Sequence, residues 1–416
     1  MKRITFFLFA CLLPFLAFSQ ERSDLLRDIR VDVVYLASDD LQGRETGTEG
    51  ERMAAEYIAS RFMEMGLSSY GKVINKKKEE LENYFHKFDF KHSNNPHAAA
   101  GEGSSKGGTN VVAYLHNGAE TTVIIGAHYD HLGMGGFGSR FTGGDAIHNG
   151  ADDNASGVAS LLYLAEKLKN SKLTNNNYLF LAFSGEEFGL FGSKAFTNSA
   201  FFDASKMNYM LNMDMVGRLK EERVISVNGV GTSPLWKEVL PKIKKPALKT
   251  SMTESGIGPS DHTSFYLKDL PVLHFFTGQH QEYHKPDDDS PLINYEGLLD
   301  VSDYIYALVE KLDKKGKLAF TKTKDEQKQS RSFKVTLGVM PDYVFDGTGM
   351  RIDAVIMGRT AAKAGLKDGD IVLQMGEFEI KDVYAYMDAL GKIEPGSKMM
   401  VKVKRGEEIV EEEVQF

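Results

Sequence analysis

The stretch "YLFLAFSGEEFGLFGS" (residues 178–193) begins as an unbroken apolar run and carries two adjacent glutamates, Glu186 and Glu187. Tyr178–Phe183 lacks polar alternate positions. That pattern predicts a strand covered on both faces, and hence a sheet with helices on either side. Gly185, Gly189 and Gly192 predict a tight, close-packed turn after it. Two carboxylates at such a strand end repel each other and lose hydration, so they require protons or cations nearby.

Groups able to share those cations recur along the chain. Asn110–Leu115, Thr122–Ala127, Met207–Met213 and Val272–Phe276 read as further strands, and Ala155–Leu168 and Ser302–Leu312 as helices. The alternation predicts an α/β domain with a mostly parallel central sheet flanked by helices. "VIIGAHYDHLG" puts His128 and Asp130 just past a strand, and "HNGADDNASG" leads Asp152 and Asp153 into a helix. "YMLNMDMVGR" ends a strand at Asp214, and "TGQHQEYHKPDDD" offers His280 and His284. Nearly all sit at carboxyl ends of strands, where open α/β sheets bind ligands. Imidazole and carboxylate without thiolate suit zinc in a catalytic site, with manganese and cobalt left open. Any one of these residues alone reads as a surface or satisfied polar group; jointly, in order, they point to a metal site.

The succession GAHYDH, GADDNASG, SGEEFGLFGS, NMDMVGR, SDH and YHKPDD resembles the M28 metallopeptidases, the co-catalytic zinc aminopeptidases, across roughly residues 25–312. The resemblance implies a zinc-peptidase α/β/α sandwich and two Zn2+ per chain. His128 and Asp214 would bind one zinc and Glu187 and His284 the other. Asp153 would bridge them, ahead of a cis peptide to Asn154. Asp130 would fix the tautomer of His128. Glu186 would be the general base acting on a metal-bridging hydroxide. Three carboxylates and that hydroxide would balance two divalent cations, which at about 3.5–4 Å apart polarise the scissile carbonyl. Tyr283 would donate a hydrogen bond to the tetrahedral intermediate. Asp152 is expected to be structural, and His131, His148 and His280 to line the pocket. His262 is left unassigned, Gly133–Gly144 is read as a site rim, and Arg218 as the partner of a local carboxylate. The implied enzyme is a metallo-exopeptidase that releases N-terminal residues from peptides with a free N-terminus. A glutaminyl cyclase-like acyltransferase and a carboxypeptidase of the same family are the alternatives.

The two ends of the chain add further expectations. Lys2 and Arg3, the apolar Ile4–Phe18 and the small residues of Ala17-Phe18-Ser19 predict a signal peptide over residues 1–19. It is short for a membrane span, so export to the periplasm or outside without a lasting anchor is expected. The single cysteine, Cys11, lies inside it, leaving a mature chain without disulfides or thiolate ligands. A net charge of −8 with no separate basic cluster argues against a nucleic-acid partner. A peptidase domain over 20–312 is followed by a polar, Lys-rich linker, 313–332. "VTLGVMPDY" and "AAKAGLKDGDIVLQMGEFEI" then resemble a PDZ domain, a small mainly-β unit over 333–416. Leu337, Gly338 and Val339 would form its carboxylate loop, and the adjoining edge would take a C-terminal peptide as an added strand. Smaller features are a capping box from Thr48 to Glu51, a solvated segment Lys76–Glu82, an edge strand Tyr84–Phe90 and a flexible loop over 93–108.

Overall fold

The computed structural model describes residues 22–70, 84–92, 104–136, 138–323, 335–341, 345, 347–355 and 359–416. The expected signal peptide and the segment Lys76–Glu82 lie outside the described residues. The first domain starts with helix α1 (residues 22–36), α2 (Glu49–Glu64), and strands β1 (Ser68–Ser69), β2 (Phe85–His92), β3 (Ser104–Leu115) and β4 (Thr122–His128). It continues through α3 (Gly157–Lys169), β5 (Asn177–Phe183), α4 (Phe191–Asn198), β6 (Met207–Met213) and β7 (Val224–Asn228). Helix α5 (Pro234–Val239), β8 (Lys249–Thr253), α6 (His262–Tyr266), β9 (Val272–Phe276) and α7 (Tyr295–Leu312) complete it.

The strands form one sheet in the order β1-β3-β5-β4-β6-β9-β7-β8, with β2 on β3. β5, β4, β6 and β9 at its centre are mutually parallel, while β3 and β7 join them antiparallel. Every residue of those four central strands is buried, which is why their sequences are apolar without alternation. Val123 and Ile125 pack with Val158 of α3 and Leu298 of α7. Ile124, between them, packs on the other face with Phe196 of α4 and Phe265 of α6. The sheet is therefore the middle layer of a sandwich, and the parallel strands bring their carboxyl ends to one edge of it.

Several boundaries differ from the sequence reading, each for a tertiary reason. Residues 104–108, expected as loop, belong to β3: Gly107 and Gly108 pair with Asp89 and Phe88. A Cβ on Gly108 would meet the Phe88 ring at 2.4 Å, so the glycine serves close approach rather than flexibility. Helix α7 starts at Tyr295, not Ser302, because Asn294 caps it through Gly297 N–H. Only half of the capping box forms at α2. Thr48 Oγ1 accepts from Glu51 N–H, whereas the Glu51 carboxylate accepts from Gly47 and Thr109 N–H and from Ser184 Oγ. The expected linker also begins later. Leu318 is buried in the peptidase core, and Thr321 N–H donates to Thr232 O at 2.8 Å. Residues 313–323 therefore pack on the first domain despite their polar composition.

The C-terminal unit is a six-stranded sheet built from β10 (Val339–Pro341), β11 (Met350–Val355), β12 (Ile371–Met375), β13 (Phe378–Glu379), β14 (Lys398–Arg405) and β15 (Glu408–Gln415). Helices α8 (Thr360–Lys363) and α9 (Val383–Lys392) accompany it. All its pairings are antiparallel, and its core includes Leu337, Ile352, Val372, Leu390 and Val401. β10 pairs only with β11, so among the described residues its outer edge is open. Among the described residues, no helix is long and apolar enough to cross a membrane.

Candidate metal centre

The strand ends deliver the predicted residues to one place. His128 closes β4, Asp214 follows β6, and Glu186 and Glu187 follow β5. Asp153 lies in a wide helical turn, Ala151–Ser156, ahead of α3, and its peptide to Asn154 is cis. Asn154 ties the ligand-bearing strands together. Its Nδ2 donates to His128 O at 3.2 Å and Met213 O at 3.0 Å, and its Oδ1 accepts from Met215 N–H at 3.0 Å. Asp288 accepts from the N–H groups of Asp152 and Asp153, at 3.0 and 3.1 Å. Asp152, as expected, is structural: its Oδ1 accepts from Gly217 N–H and Ser156 Oγ.

The distances sort the side chains. His128 Nε2 lies 3.4 Å from Asp153 Oδ1 and 3.4 Å from Asp214 Oδ1. His284 Nε2 lies 3.2 Å from Asp153 Oδ2 and 3.4 Å from Glu187 Oε2. Most of these separations exceed a good hydrogen bond. They match the spacing of about 3.3 Å between two donors that hold one tetrahedral zinc at about 2.0–2.1 Å each. Each carboxylate oxygen of Asp153 thus faces a different imidazole. The donor set of nitrogen and carboxylate oxygen, buried and without thiolate, fits two zinc ions. Glu186 joins His128 and Asp214 in a group whose candidate donor atoms all lie within 4.8 Å of one another.

His131 was read from sequence as pocket lining, and its position is closer than that. Its Nδ1 is 2.8 Å from Glu187 Oε1, a hydrogen-bond length, leaving Oε2 for the side of His284. His131 also forms, with Asp153 and Glu187, a second group whose candidate donor atoms all lie within 4.8 Å of one another, so it is placed both to orient Glu187 and to stand beside a cation held there. Asp130 also departs from expectation. His128 Nδ1 is nearer the backbone carbonyl of Asp130, at 3.2 Å, than its carboxylate, at 3.8 Å. The Asp130 carboxylate instead accepts from Thr46 Oγ1 at 2.9 Å and from Glu186 N–H at 3.2 Å. It braces the glutamate turn. The wholly buried Arg44 had no signal in the sequence reading. It donates to Tyr129 O, Asn149 O and Gly150 O, clasping the segment that leads to Asp153.

Electrostatics at the centre are those of acids short of counter-charge. Burial and the neighbouring carboxylates push the pKa values of Glu186 and Glu187 well above the usual range, despite His128 and His284. For His128, burial works downward, yet Asp214, Glu186 and Asp153 outweigh it and hold its pKa well up. His284 is likewise raised, to about 9, against burial, by Glu187 and Asp153. Cations relieve this frustration. Tyr283 stacks on His284 with ring centroids 3.8 Å apart, and the Arg140 guanidinium lies over the Tyr283 ring, 4.6 Å from its centre. His284 itself has φ +58, an uncommon backbone state that functional sites tolerate. Arg218 pairs with Glu282 at 3.1 Å, as expected of it.

Residues 110–309 match the model of peptidase family M28, and residues 319–416 that of the PDZ domain. The first domain thus carries an M28 peptidase match over residues 110–309. The M28 domain is 30% identical to the probable lipoprotein aminopeptidase LpqL of Mycobacterium tuberculosis, across 41% of this chain and 34% of that protein. It is 28% identical to aminopeptidase YwaD of Bacillus subtilis, across 47% of this chain and 42% of that protein. The matches thus cover less than half the length of these two relatives. Among solved structures, the zinc aminopeptidase BSAP of Bacillus subtilis aligns with a TM-score of 0.54 at 17% identity, over 71% of this chain and 95% of that one. The glutaminyl cyclase of Porphyromonas gingivalis aligns with a TM-score of 0.53 at 14% identity, over 69% and 98%. At these identities the M28 domain shares a fold with both chemistries, and the fold does not choose between them.

In the PDZ domain, Gly338 has φ +75, and a Cβ there would meet Arg359 Cβ at 2.3 Å. Its N–H donates to Thr336 Oγ1 at 3.0 Å, while the side chains of Leu337 and Val339 turn into the core. This segment leads into β10, whose outer edge is open among the described residues.

Proposed function

We propose that this chain is an exported aminopeptidase working with two zinc ions. The observation that carries the reading is Asp153, whose two oxygens lie 3.4 and 3.2 Å from the Nε2 atoms of His128 and His284. A carboxylate so placed is suited to bridge two cations. His128 and Asp214 would hold one, and Glu187 and His284 the other. Bound there, the ions would supply Lewis acidity for a water and for the scissile carbonyl.

The chain's own residues supply the rest. Glu186 holds no metal in this reading; it takes the proton of the attacking water and returns it to the leaving amine. Its backbone N–H bond to Asp130 braces the turn from which the Glu186 carboxylate projects. His131 holds Glu187 through one oxygen and frees the other for ligation. Tyr283, stacked on His284, donates its hydroxyl to the oxygen that gains charge. The substrate is a peptide with a free N-terminus, drawn to the acid-rich centre by its ammonium group. The PDZ domain takes a C-terminal peptide along β10, with the loop Leu337–Val339 against its carboxylate. Residues 1–19 direct the chain out of the cytoplasm.

Mass spectrometry of peptide digests, alongside elemental analysis for two zinc ions per chain, tests this. Unblocked peptides should lose single N-terminal residues, with kcat/KM at least about 100-fold above that of N-acetylated ones. An N-terminal Gln peptide that loses ammonia and keeps its length would overturn the reading in favour of a cyclase. Trimming of acetylated peptides from the C-terminus would place the enzyme with carboxypeptidases.

A further inference from the structure

Asp214 has two oxygens, and only one faces His128. The other, Oδ2, is faced by His274 Nε2 at 4.0 Å. His274 interrupts the apolar strand β9, "VLHFF", at a position that is 4% exposed. A leucine or phenylalanine would suit such a place, and a buried polar ring must find partners. On the next strand Asn228 stands directly opposite it in register, and Asn228 Nδ2 donates to His274 Nδ1 at 3.1 Å. The amide is itself held, since Asn228 Oδ1 accepts from Thr253 Oγ1 at 2.6 Å and Ser226 Oγ at 3.2 Å. A neutral imidazole that accepts at Nδ1 carries its hydrogen on Nε2. Among the described residues that Nε2 has no hydrogen-bond partner, and the Asp214 carboxylate is the acid beside it. On its face His274 is covered by His262, stacked at 4.7 Å and nearly parallel, so the ring is held in plane.

We propose that His274 is a positioning residue for Asp214: its Nε2–H, set in that tautomer by Asn228, steers Oδ2 and thereby aims Oδ1 at the cation shared with His128. This rests on the reading of Asp214 as a metal ligand. At 4.0 Å the pair stands beyond hydrogen-bond length in the structure, and Ser260 already hydrogen-bonds this carboxylate, so the proposed steering is by the field and orientation of the imidazole N–H rather than by a bond already formed. Partners one step behind a ligand commonly govern metal affinity in this way. The line Thr253–Asn228–His274–Asp214 crosses β8, β7, β9 and the end of β6, so one half of the centre is fastened to the far edge of the sheet.

The test measures zinc binding to metal-free protein in competition with a chromophoric chelator, which resolves a tighter and a weaker ion. His274→Leu should weaken one of the two by about 10- to 100-fold and leave the other unchanged. His274→Gln, whose amide can still donate, should stay within about threefold of wild type, and Asn228→Leu should fall between the two. Asp214→Asn identifies the affected ion, since it must weaken the same one. Equal weakening of both ions, or of neither, in His274→Leu overturns the proposal. So does a His274→Gln protein as weak as His274→Leu. If His274→Leu does not fold, unchanged binding by Asn228→Leu overturns the proposal instead. An Asp214→Asn protein that binds both ions like wild type would bring down the ligand assignment itself, a separate failure.

Discussion

The two halves of the proposed metal centre are built differently. The His128–Asp214 half stands on the ends of β4 and β6, in the middle of the sheet, and His128 is 1% exposed. Its observed supports are Asn154 and the Asp130 carbonyl, with the His274–Asn228 pair as the proposed third. The Glu187–His284 half stands on loops. His284 comes from the segment after β9, is held by Gly138 O at 2.8 Å, and has a positive φ. Strand ends place a ligand by sheet geometry that many residues share, whereas a loop ligand depends on a few local bonds. The strand-borne ion should therefore be the tighter one, and a chelator should remove the loop-borne ion first.

The largest effects belong to the residues that join or serve both halves. Asp153→Asn should lower occupancy of both ions, because a neutral amide bridges two cations poorly. Elemental analysis checks this, and two ions per chain with normal turnover would break the bridge. Glu186→Gln should keep both ions and lose about 10²–10⁴ in turnover, the range for a positioned proton carrier. Loss of metal in that variant would mean that Glu186 and Glu187 have exchanged roles.

Next in size is the contrast between two histidines on the loop-borne side. His284→Ala should remove one ion and nearly all activity. His131→Ala should retain the ion with about 10- to 100-fold lower affinity, as expected when a partner of a ligand is lost. If His131→Ala instead lost the ion outright and His284→Ala kept it, His131 would be the ligand.

That contrast also marks what the sequence could carry. The central strands were legible because burial on both faces leaves an apolar run without alternation, and the acids and imidazoles stood out against those runs. His274 was equally visible as a polar break in "VLHFF", but its meaning depended on Asn228, 46 positions earlier, reached only through sheet register. Arg44 and the second role of Glu51 were invisible for a similar reason. Their partners are backbone groups or side chains far along the chain. Residues 313–323 misled through composition: lysines that face water hid Leu318 and Phe320, which face the domain.

Acid should test the turn that carries both glutamates. His86 packs edge-on against Phe196 and Phe201, and its Nδ1 meets the Nδ2 of Asn110 at 3.1 Å. Asn110 in turn accepts from Ser184 N–H, at the start of that turn. Burial lowers the pKa of His86 from 6.5 to about 4. The unfolded chain then takes up the proton first as pH falls, so this contribution is complete above the ordinary imidazole pKa and lost towards pH 4. The loss amounts to at most about 3 kcal/mol. In metal-free protein, thermal unfolding of His86→Leu should show a flatter decline in Tm over this range than wild type. An equal slope would remove His86 from the account.

The smallest expected effect is that of removing the PDZ domain, and the place of the cut decides it. Thr321 N–H donates to Thr232 O, and Thr232 Oγ1 lies 3.0 Å from both Val272 N, whose hydrogen it accepts, and Val272 O. Val272 opens β9, the strand that carries His274, so residues 313–323 brace the strand-borne half from below. Phe320 stacks obliquely on Tyr266, whose hydroxyl accepts from Thr323 N–H. A chain ending after Thr323 keeps all of this and should match full-length protein in Tm, metal content and turnover of small reporters. A chain ending after Leu312 exposes the site that Leu318 fills, at a cost of about 2 kcal/mol for one buried leucine. Its Tm should fall, and the advantage of the strand-borne ion over the loop-borne one should shrink. If the longer truncation product were folded and metal-loaded yet inactive on small reporters, the PDZ domain would be a working part of the active site, and the contrast between the two halves would have to include it.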